Sequence, residues 1–209
     1  PVERAMREGD VHVVKLGGSL LDLPALLERF AAYRAAAMGA RALLVVGGGE
    51  AADVVRRFDA AHGLGERAGH WLAVRAMQLN AHLLAAVLPR VRLVDEAEAC
   101  SAAWARGELA MMDPLPWLEA EERAGITIPH HWQFTSDSIA AHVACRLGAK
   151  RLTLLKSTLP ERDSLTVSEA VRLELVDEAF AQAARGIEDV ELVNLRSASQ
   201  PRCVLRVPA

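Results

Sequence analysis

The chain has 209 residues, 52% hydrophobic and 24% charged, with 24 Lys and Arg against 27 Asp and Glu for a formal net charge of −3. That length supports one sizeable core, in a single domain or two tightly fused lobes, and the composition excludes a disordered chain. Balanced charge offers no basic surface for nucleic acid, and no apolar run approaches the ~20 residues of a membrane span, so neither partner is expected.

Short apolar runs alternate with helical patterns. Val11 to Leu16 is a β-branched run stopped by Gly17-Gly18 and reads as a buried strand. Pro24 to Met38 has turn-spaced apolar residues and a glycine stop at Gly39, and reads as a helix. Arg41 to Val46 is a second strand, ended by Gly47-Gly48-Gly49. Strand, helix and strand at this spacing make a right-handed βαβ unit with a parallel sheet.

Glu50 to Phe58 then reads as a helix, His62 to Gly65 as a turn, and Glu66 to Leu88 as a long helix broken by Pro89. Val91 to Val94 is a strand, Ala97 to Arg106 a helix, Leu109 to Met112 a strand and Pro116 to Ala124 a helix. Gly125 to Thr135, with Pro129, two histidines and Trp132, reads as a loop with a short extended part. Ser136 to Leu147 is helical, with Thr135 or Ser136 as N-cap and Gly148 beyond its end. Arg151 to Leu155 is a strand, Val176 to Ala184 a helix, and Val190 to Leu195 and Cys203 to Val207 are strands.

Cys100, Cys145 and Cys203 stand far apart, with no CxxC or Cys/His pair at metal spacing. They read as buried thiols in a reducing compartment, and no metal centre is expected. The opening Pro1-Val-Glu-Arg-Ala-Met6 is interrupted by charge and lacks the apolar stretch of a secretory leader. A cytoplasmic location is therefore expected.

Three features carry chemistry. Lys15-Leu16-Gly17-Gly18-Ser19 ends the first strand. Glycines let a backbone approach a ligand closely, successive N–H groups then cradle an anion, and a neighbouring lysine adds a point charge suited to phosphate. The same residues also make an ordinary tight turn, and they fit neither GxxxxGK[ST] nor GxGxxG. Gly47-Gly48-Gly49-Glu50 follows a parallel strand and opens a helix. Ligands of open parallel sheets collect at the carboxyl ends of strands, so both turns are expected to face one crevice. Thr135-Ser136-Asp137-Ser138 places three hydroxyls and a carboxylate at a helix start, more polar groups than capping requires.

Together, in this order, these pieces and Arg151-Leu-Thr-Leu-Leu155 resemble the amino acid kinase family, which includes acetylglutamate, uridylate, carbamate and isopentenyl phosphate kinases. The resemblance runs from Val11 to Leu155. It implies a three-layer αβα sandwich with a mostly parallel central sheet. It also implies one domain over residues 1–209, with the acceptor held by about 1–130 and ATP, with Mg²⁺ on its phosphates, by about 131–209.

By the same resemblance Lys15 stabilises charge on the moving phosphoryl group and Asp137 orients that lysine. Gly17, Gly18 and Ser19 would bind ATP phosphates, and Gly47, Gly48, Gly49 and Ser136 the acceptor or the moving phosphate. That division suits phosphoryl transfer, which depends on positioning and charge stabilisation.

Gly49-Glu-Ala-Ala-Asp53, His70-Trp71-Leu-Ala-Val-Arg-Ala-Met77 and Trp132-Gln-Phe-Thr-Ser-Asp-Ser-Ile-Ala140 further resemble the (aminomethyl)furanmethyl-phosphate kinase branch of methanofuran biosynthesis. Its acceptor is a phosphate monoester. Asp53 would then pair with the acceptor's ammonium, and His70 or Trp132 would flank its ring; Asp53 also fits a plain first-turn helix charge. After Leu155 the chain departs from the family pattern. Lys156-Ser157-Thr158-Leu159-Pro160 replaces Thr-Asp-Val-Asp-Gly, and no Gly-Gly-Met-x-x-Lys appears.

Lys156 is either a second positive charge at the phosphates or a surface residue. The rival to a kinase is a non-catalytic nucleotide-binding or storage protein on the same fold; a nicotinamide oxidoreductase lacks its fingerprint. The Ala/Leu-rich helices offer a surface for a homo-oligomer.

Overall fold

The Val/Leu-rich run after Asp10 forms strand β1 (His12–Leu16), buried at all five positions, in a computed structural model that describes residues 10–207. The stretch Pro1 to Met6 lies outside the described residues. β1 is flanked in parallel by β2 (Ala42–Val46) and β5 (Arg151–Lys156). Strands buried on both faces read as continuous apolar runs, which is why all three were legible. β3 (Val91–Val94), β4 (Leu109–Met112), β6 (Ser164–Thr166), β7 (Asp189–Asn194) and β8 (Arg202–Arg206) complete the sheet. Its order is β3-β4-β2-β1-β5-β7-β8-β6, all parallel except that β8 runs antiparallel to β7 and carries β6 with it.

Helices cover both faces. On one, α1 (Leu26–Ala37) sets Leu26, Phe30 and Tyr33 against Val14, Leu16 and Leu44. On the other, α4 (Ala97–Ala105), α5 (Pro114–Arg123) and α6 (Ser136–Arg146) pack Trp104, Leu118 and Ile139 over Val13, Val45 and Leu154. The long α3 (Glu66–Val87) gives Val74 and Met77 to this second cluster but Ala81 and Leu84 to the first. It packs outward against α2 (Gly49–His62). The sheet with helices on both sides is the expected three-layer αβα arrangement.

Several boundaries differ from those expected. α2 continues past Phe58 to His62 and stops at Gly63, whose φ of +67° favours glycine. α5 starts at Pro114, a residue suited to a first helical turn because it has no N–H to leave unpaired. β6 and α7 (Val167–Arg172) went unread, although Thr166 and Glu169 form a reciprocal capping box there.

The helix expected over Val176 to Ala184 shrinks to α8 (Phe180–Ala183), because Val176 and Asp177 turn back toward α6. No extended part forms between Gly125 and Thr135. Cys100 and Cys203 are buried, but Cys145 is exposed on α6, against expectation. Among the described residues, no helix is long and apolar enough to cross a membrane.

Candidate active site

Leu16 and Val46 end neighbouring parallel strands, and one further rung joins the chains beyond each. Gly17 N–H donates to Leu155 O and Gly47 N–H to Leu16 O, both at 2.9 Å. Past that rung the two glycine turns touch backbone to backbone. A Cβ on Gly18 would lie 2.1 Å from the Gly49 nitrogen, and Gly49 itself has a φ of +49°. No side chain fits at Gly18, so the sequence can bring two sets of amides together only with glycine there.

No side chain caps α2, which leaves its first-turn N–H groups open toward a ligand. The second turn is held from below by Asn80, in the middle of α3, whose amide donates to Gly47 O and Gly48 O, each at 2.8 Å. Sequence reading missed Asn80. Its one signal is a polar side chain on the apolar face of a long helix.

Side chains alternate across a strand, so Lys15 lies on the same face as Val13, and Lys156 on the same face as Leu154. That is the face covered by α6, whose first turn supplies Asp137. Lys15 Nζ sits 2.8 Å from Asp137 Oδ1, and Lys156 Nζ lies 2.8 Å from Oδ1 and 2.9 Å from Oδ2. All three side chains are nearly buried, at 5%, 13% and 10% exposure for Lys15, Lys156 and Asp137.

Burial alone would raise the Asp137 pKa, but the two ammoniums outweigh it and hold the carboxyl at about 2. Burial pulls Lys156 down to about 8, with Lys15 adding repulsion and Asp137 opposing both. Of the two readings of Lys156, the geometry removes the surface one. Ser157, next to it, accepts a hydrogen bond from Ser19 at 3.0 Å, which ties the β5 end to the first glycine turn.

Asp137 is placed by a second carboxylate that sequence reading did not find. Thr135 occupies the N-cap position of α6, but its side chain does not cap the helix. Asp177 does so instead. It accepts from Thr135 N–H at 3.1 Å, Thr135 Oγ1 at 2.6 Å and Ser138 N–H at 3.1 Å, and from Ser138 Oγ. Two hydroxyls of the polar cluster thus serve the cap, and Asp137 and Ser136 remain for other work.

Beside the glycine turns lies a cavity of about 210 Å³, whose lining includes Gly18, Gly48, Gly49, Ser136 and, further along, Asp53, His70 and Trp132. Asp53 lies beyond the first turn of α2, where the acidic residue is Glu50, and its Oδ1 accepts from Arg56 at 2.6 Å on the same helix. Trp132 closes the cavity as a strap. Its indole N–H donates to Asp59 at 2.7 Å, Arg56 stacks on the ring at 5.5 Å, and a Cβ on Gly69 would meet the ring at 2.7 Å. His70 is buried with its ring 5.2 Å from that of His130. His130 in turn lies 2.7 Å from Glu122.

A mostly parallel sheet with two touching glycine turns and two buried ammoniums on one carboxylate, at the carboxyl ends of its strands, is an α/β arrangement whose chemistry suits an anion such as phosphate. The sequence pattern of the amino acid kinase family matches residues 10–159, and the chain belongs to that family. Among curated proteins it is similar to the [5-(aminomethyl)furan-3-yl]methyl phosphate kinase of Methanocaldococcus jannaschii, with 28% identity over 145 residues. That match covers 69% of this chain and 64% of the relative's length.

Similar solved structures include the uridylate kinase of Archaeoglobus fulgidus, with a TM-score of 0.62, 20% identity, and coverage of 95% of this chain and 100% of that one. The UMP kinase of Ureaplasma parvum gives a TM-score of 0.67 at 12% identity, covering 95% and 99%. The aspartate kinase of Synechocystis gives 0.66 at 15%, covering 95% and 40%. These structures share the fold.

Proposed function

We propose that the protein is an ATP-dependent kinase that moves the γ-phosphoryl group onto a small acceptor held in the cavity. The preferred acceptor is [5-(aminomethyl)furan-3-yl]methyl phosphate, converted to its diphosphate in methanofuran-type cofactor biosynthesis. An acceptor phosphate oxygen attacks the γ-phosphorus, the bond to the β-bridging oxygen breaks, and ADP leaves. That oxygen is already ionised at neutral pH, so no general base is needed. Asp137 is far too acidic to be one.

The observation that carries this reading is the Lys15–Asp137–Lys156 triad beside two touching glycine turns. Two cations on one anion leave a net positive charge, in a site screened from water, aimed at the charge that develops on the transferring oxygens. Both Asp137 oxygens are taken by ammoniums, so that carboxylate is not a metal anchor; Mg²⁺ is read as part of the substrate, carried on the ATP phosphates. Ser19 and Gly17 are assigned to the nucleotide side, and Gly47 to Gly49 with Ser136 to the acceptor side.

A cytoplasmic homo-oligomer fits the same reading, since Leu72, Leu79, Leu83 and Val87 are exposed along α3. The test is ADP release from MgATP with the furan phosphate, uridylate and aspartate as separate acceptors. Turnover only with the furan phosphate supports the full reading. ATP binding without ADP release with any acceptor would favour the rival, a non-catalytic nucleotide-binding or storage protein.

A further inference from the structure

Among the described residues two buried nitrogens of the cavity lining have no hydrogen-bond partner, His131 Nδ1 and His70 Nε2, and of the two residues His70 is the more deeply buried. His70 is 3% exposed and its Nε2 makes no hydrogen bond within the protein, yet the residue lines the cavity. Leaving such a nitrogen unpaired costs about 1–3 kcal/mol, so a native protein holds one for a reason. The ring is packed by Trp71 at 5.6 Å, His130 at 5.2 Å and Phe134 at 6.3 Å between centroids, and Phe134 lines the cavity with it. Burial, with His130 and His131 adding to it, pushes its pKa down to about 4. At neutral pH it is therefore an uncharged imidazole, able to hydrogen-bond but not to pair with an anion.

α3 acts as a ruler along the cavity floor. Ala73 O and Met77 Cγ both come within 3.7 Å of the Cβ position at Gly48, which fixes that part of the helix under the second glycine turn. His70 precedes Ala73 by three residues, about 4.5 Å along the axis. The apolar part of the lining includes Val74, Met77 and Ile139. The cavity volume of about 210 Å³ falls below the ~300–1,000 Å³ of pockets for drug-sized ligands.

We infer that His70 selects the acceptor: its imidazole hydrogen-bonds an amine or hydroxyl group carried about one helical turn from the phosphate, on a compact apolar or ring-sized skeleton. This rests on the reading of Gly48 and Gly49 as the acceptor's phosphate site. The substrate class is a small phosphate monoester with a polar far end, smaller than a nucleoside monophosphate.

The test is binding, by calorimetry at neutral pH, of propyl phosphate, 3-hydroxypropyl phosphate, 3-aminopropyl phosphate, [5-(aminomethyl)furan-3-yl]methyl phosphate and uridylate. Wild type should bind at least one of the three polar-ended small esters about tenfold or more tighter than propyl phosphate. His70→Phe should erase that preference while still binding propyl phosphate, and His70→Gln should restore part of it. His70→Gln and His70→Asn serve in place of His70→Phe should the latter not fold, each predicted to shrink the preference. Equal affinities in wild type, no binding of any ester, or a preference that survives every substitution would overturn the inference.

ADP release from MgATP with the same esters separates the two readings. A His70-dependent binding preference without ADP release sinks the kinase and leaves His70 as a selector. ADP release with equal kcat/KM for polar and apolar esters sinks His70 alone.

Discussion

Asp137 grips Lys156 through both of its oxygens, at 2.8 and 2.9 Å, but meets Lys15 through only one, at 2.8 Å. Lys15 is the looser partner, with two of its three N–H donors left for a phosphoryl group against one on Lys156. Lys15→Met should lower kcat by about 10²–10³, with a small change in thermal melting because Asp137 keeps Lys156. Asp137→Asn strands two buried ammoniums and should cost about 3–5 kcal/mol of stability as well as activity. Steady-state kinetics with melting curves on both variants checks this; wild-type turnover in Lys15→Met would remove Lys15 from the mechanism.

A pH profile should show the depressed Lys156. With its pKa near 8 in the free protein, kcat/KM should fall as pH rises through 8. Bound phosphate favours the charged amine, so kcat should hold to higher pH. The stability effect has the opposite sign. Between the folded value of about 8 and the ordinary lysine value of 10.5 the unfolded chain binds more protons, so the Lys156 contribution to stability rises with pH. A melting temperature that drops in step with kcat/KM above pH 8 would point to unfolding instead.

Asn80 spends its amide on the second glycine turn, through Gly47 O and Gly48 O, and not on the lysine–aspartate group. Asn80→Leu leaves Gly47 O and Gly48 O without their side-chain donor, and Asn80→Asp aims a carboxylate at them. Each should cost about 1–3 kcal/mol and raise the acceptor KM about tenfold or more, with the ATP KM changed less. Equal rises in both KM values would mean that Asn80 supports the fold at large.

Asp177 supports the other half of the site. Asp177→Ala leaves Thr135 N–H and Ser138 N–H without their carboxylate and should cost about 1–2 kcal/mol, in the range of a lost helix cap. It also frees the turn that carries Asp137, so kcat should fall more than the stability loss alone explains. Asp177→Asn, which still accepts hydrogen bonds, should recover a large part of kcat. No recovery would mean that the negative charge, rather than the cap geometry, is what matters.

Much of the fold was legible because buried parallel strands and glycine stops are local signals. β2 is an unbroken apolar run and β1 and β5 are largely apolar, and the turns after β1 and β2 are marked by glycines that their close approach requires. The elements missed or misread lie toward the C-terminus. β6 is three residues long, and the apolar spacing from Val176 to Ala184 resembles a helix although Asp177 is drawn away by α6. Short elements carry too few residues for a period to show, and tertiary hydrogen bonds then overrule the pattern.

For the site, the sequence by itself determined the chemistry on offer: a lysine and two glycines ending one strand, three glycines ending the next, and a carboxylate at a helix start. It also determined, through strand alternation, that Lys15 shares a face with Val13. What it left open was the distance between segments far apart in the chain. Lys156 read equally well as a surface residue until β5 paired with β1 and α6 lay across both. Asp53 offered either an ammonium partner or a helix charge, with nothing to show that Arg56 lies on it, Asn80 carried only the mark of a polar residue on an apolar helix face, and Asp177 carried none. Hydrogen bonds and ion pairs fall off within a few ångströms, so which polar groups meet is decided by how the helices pack on the sheet.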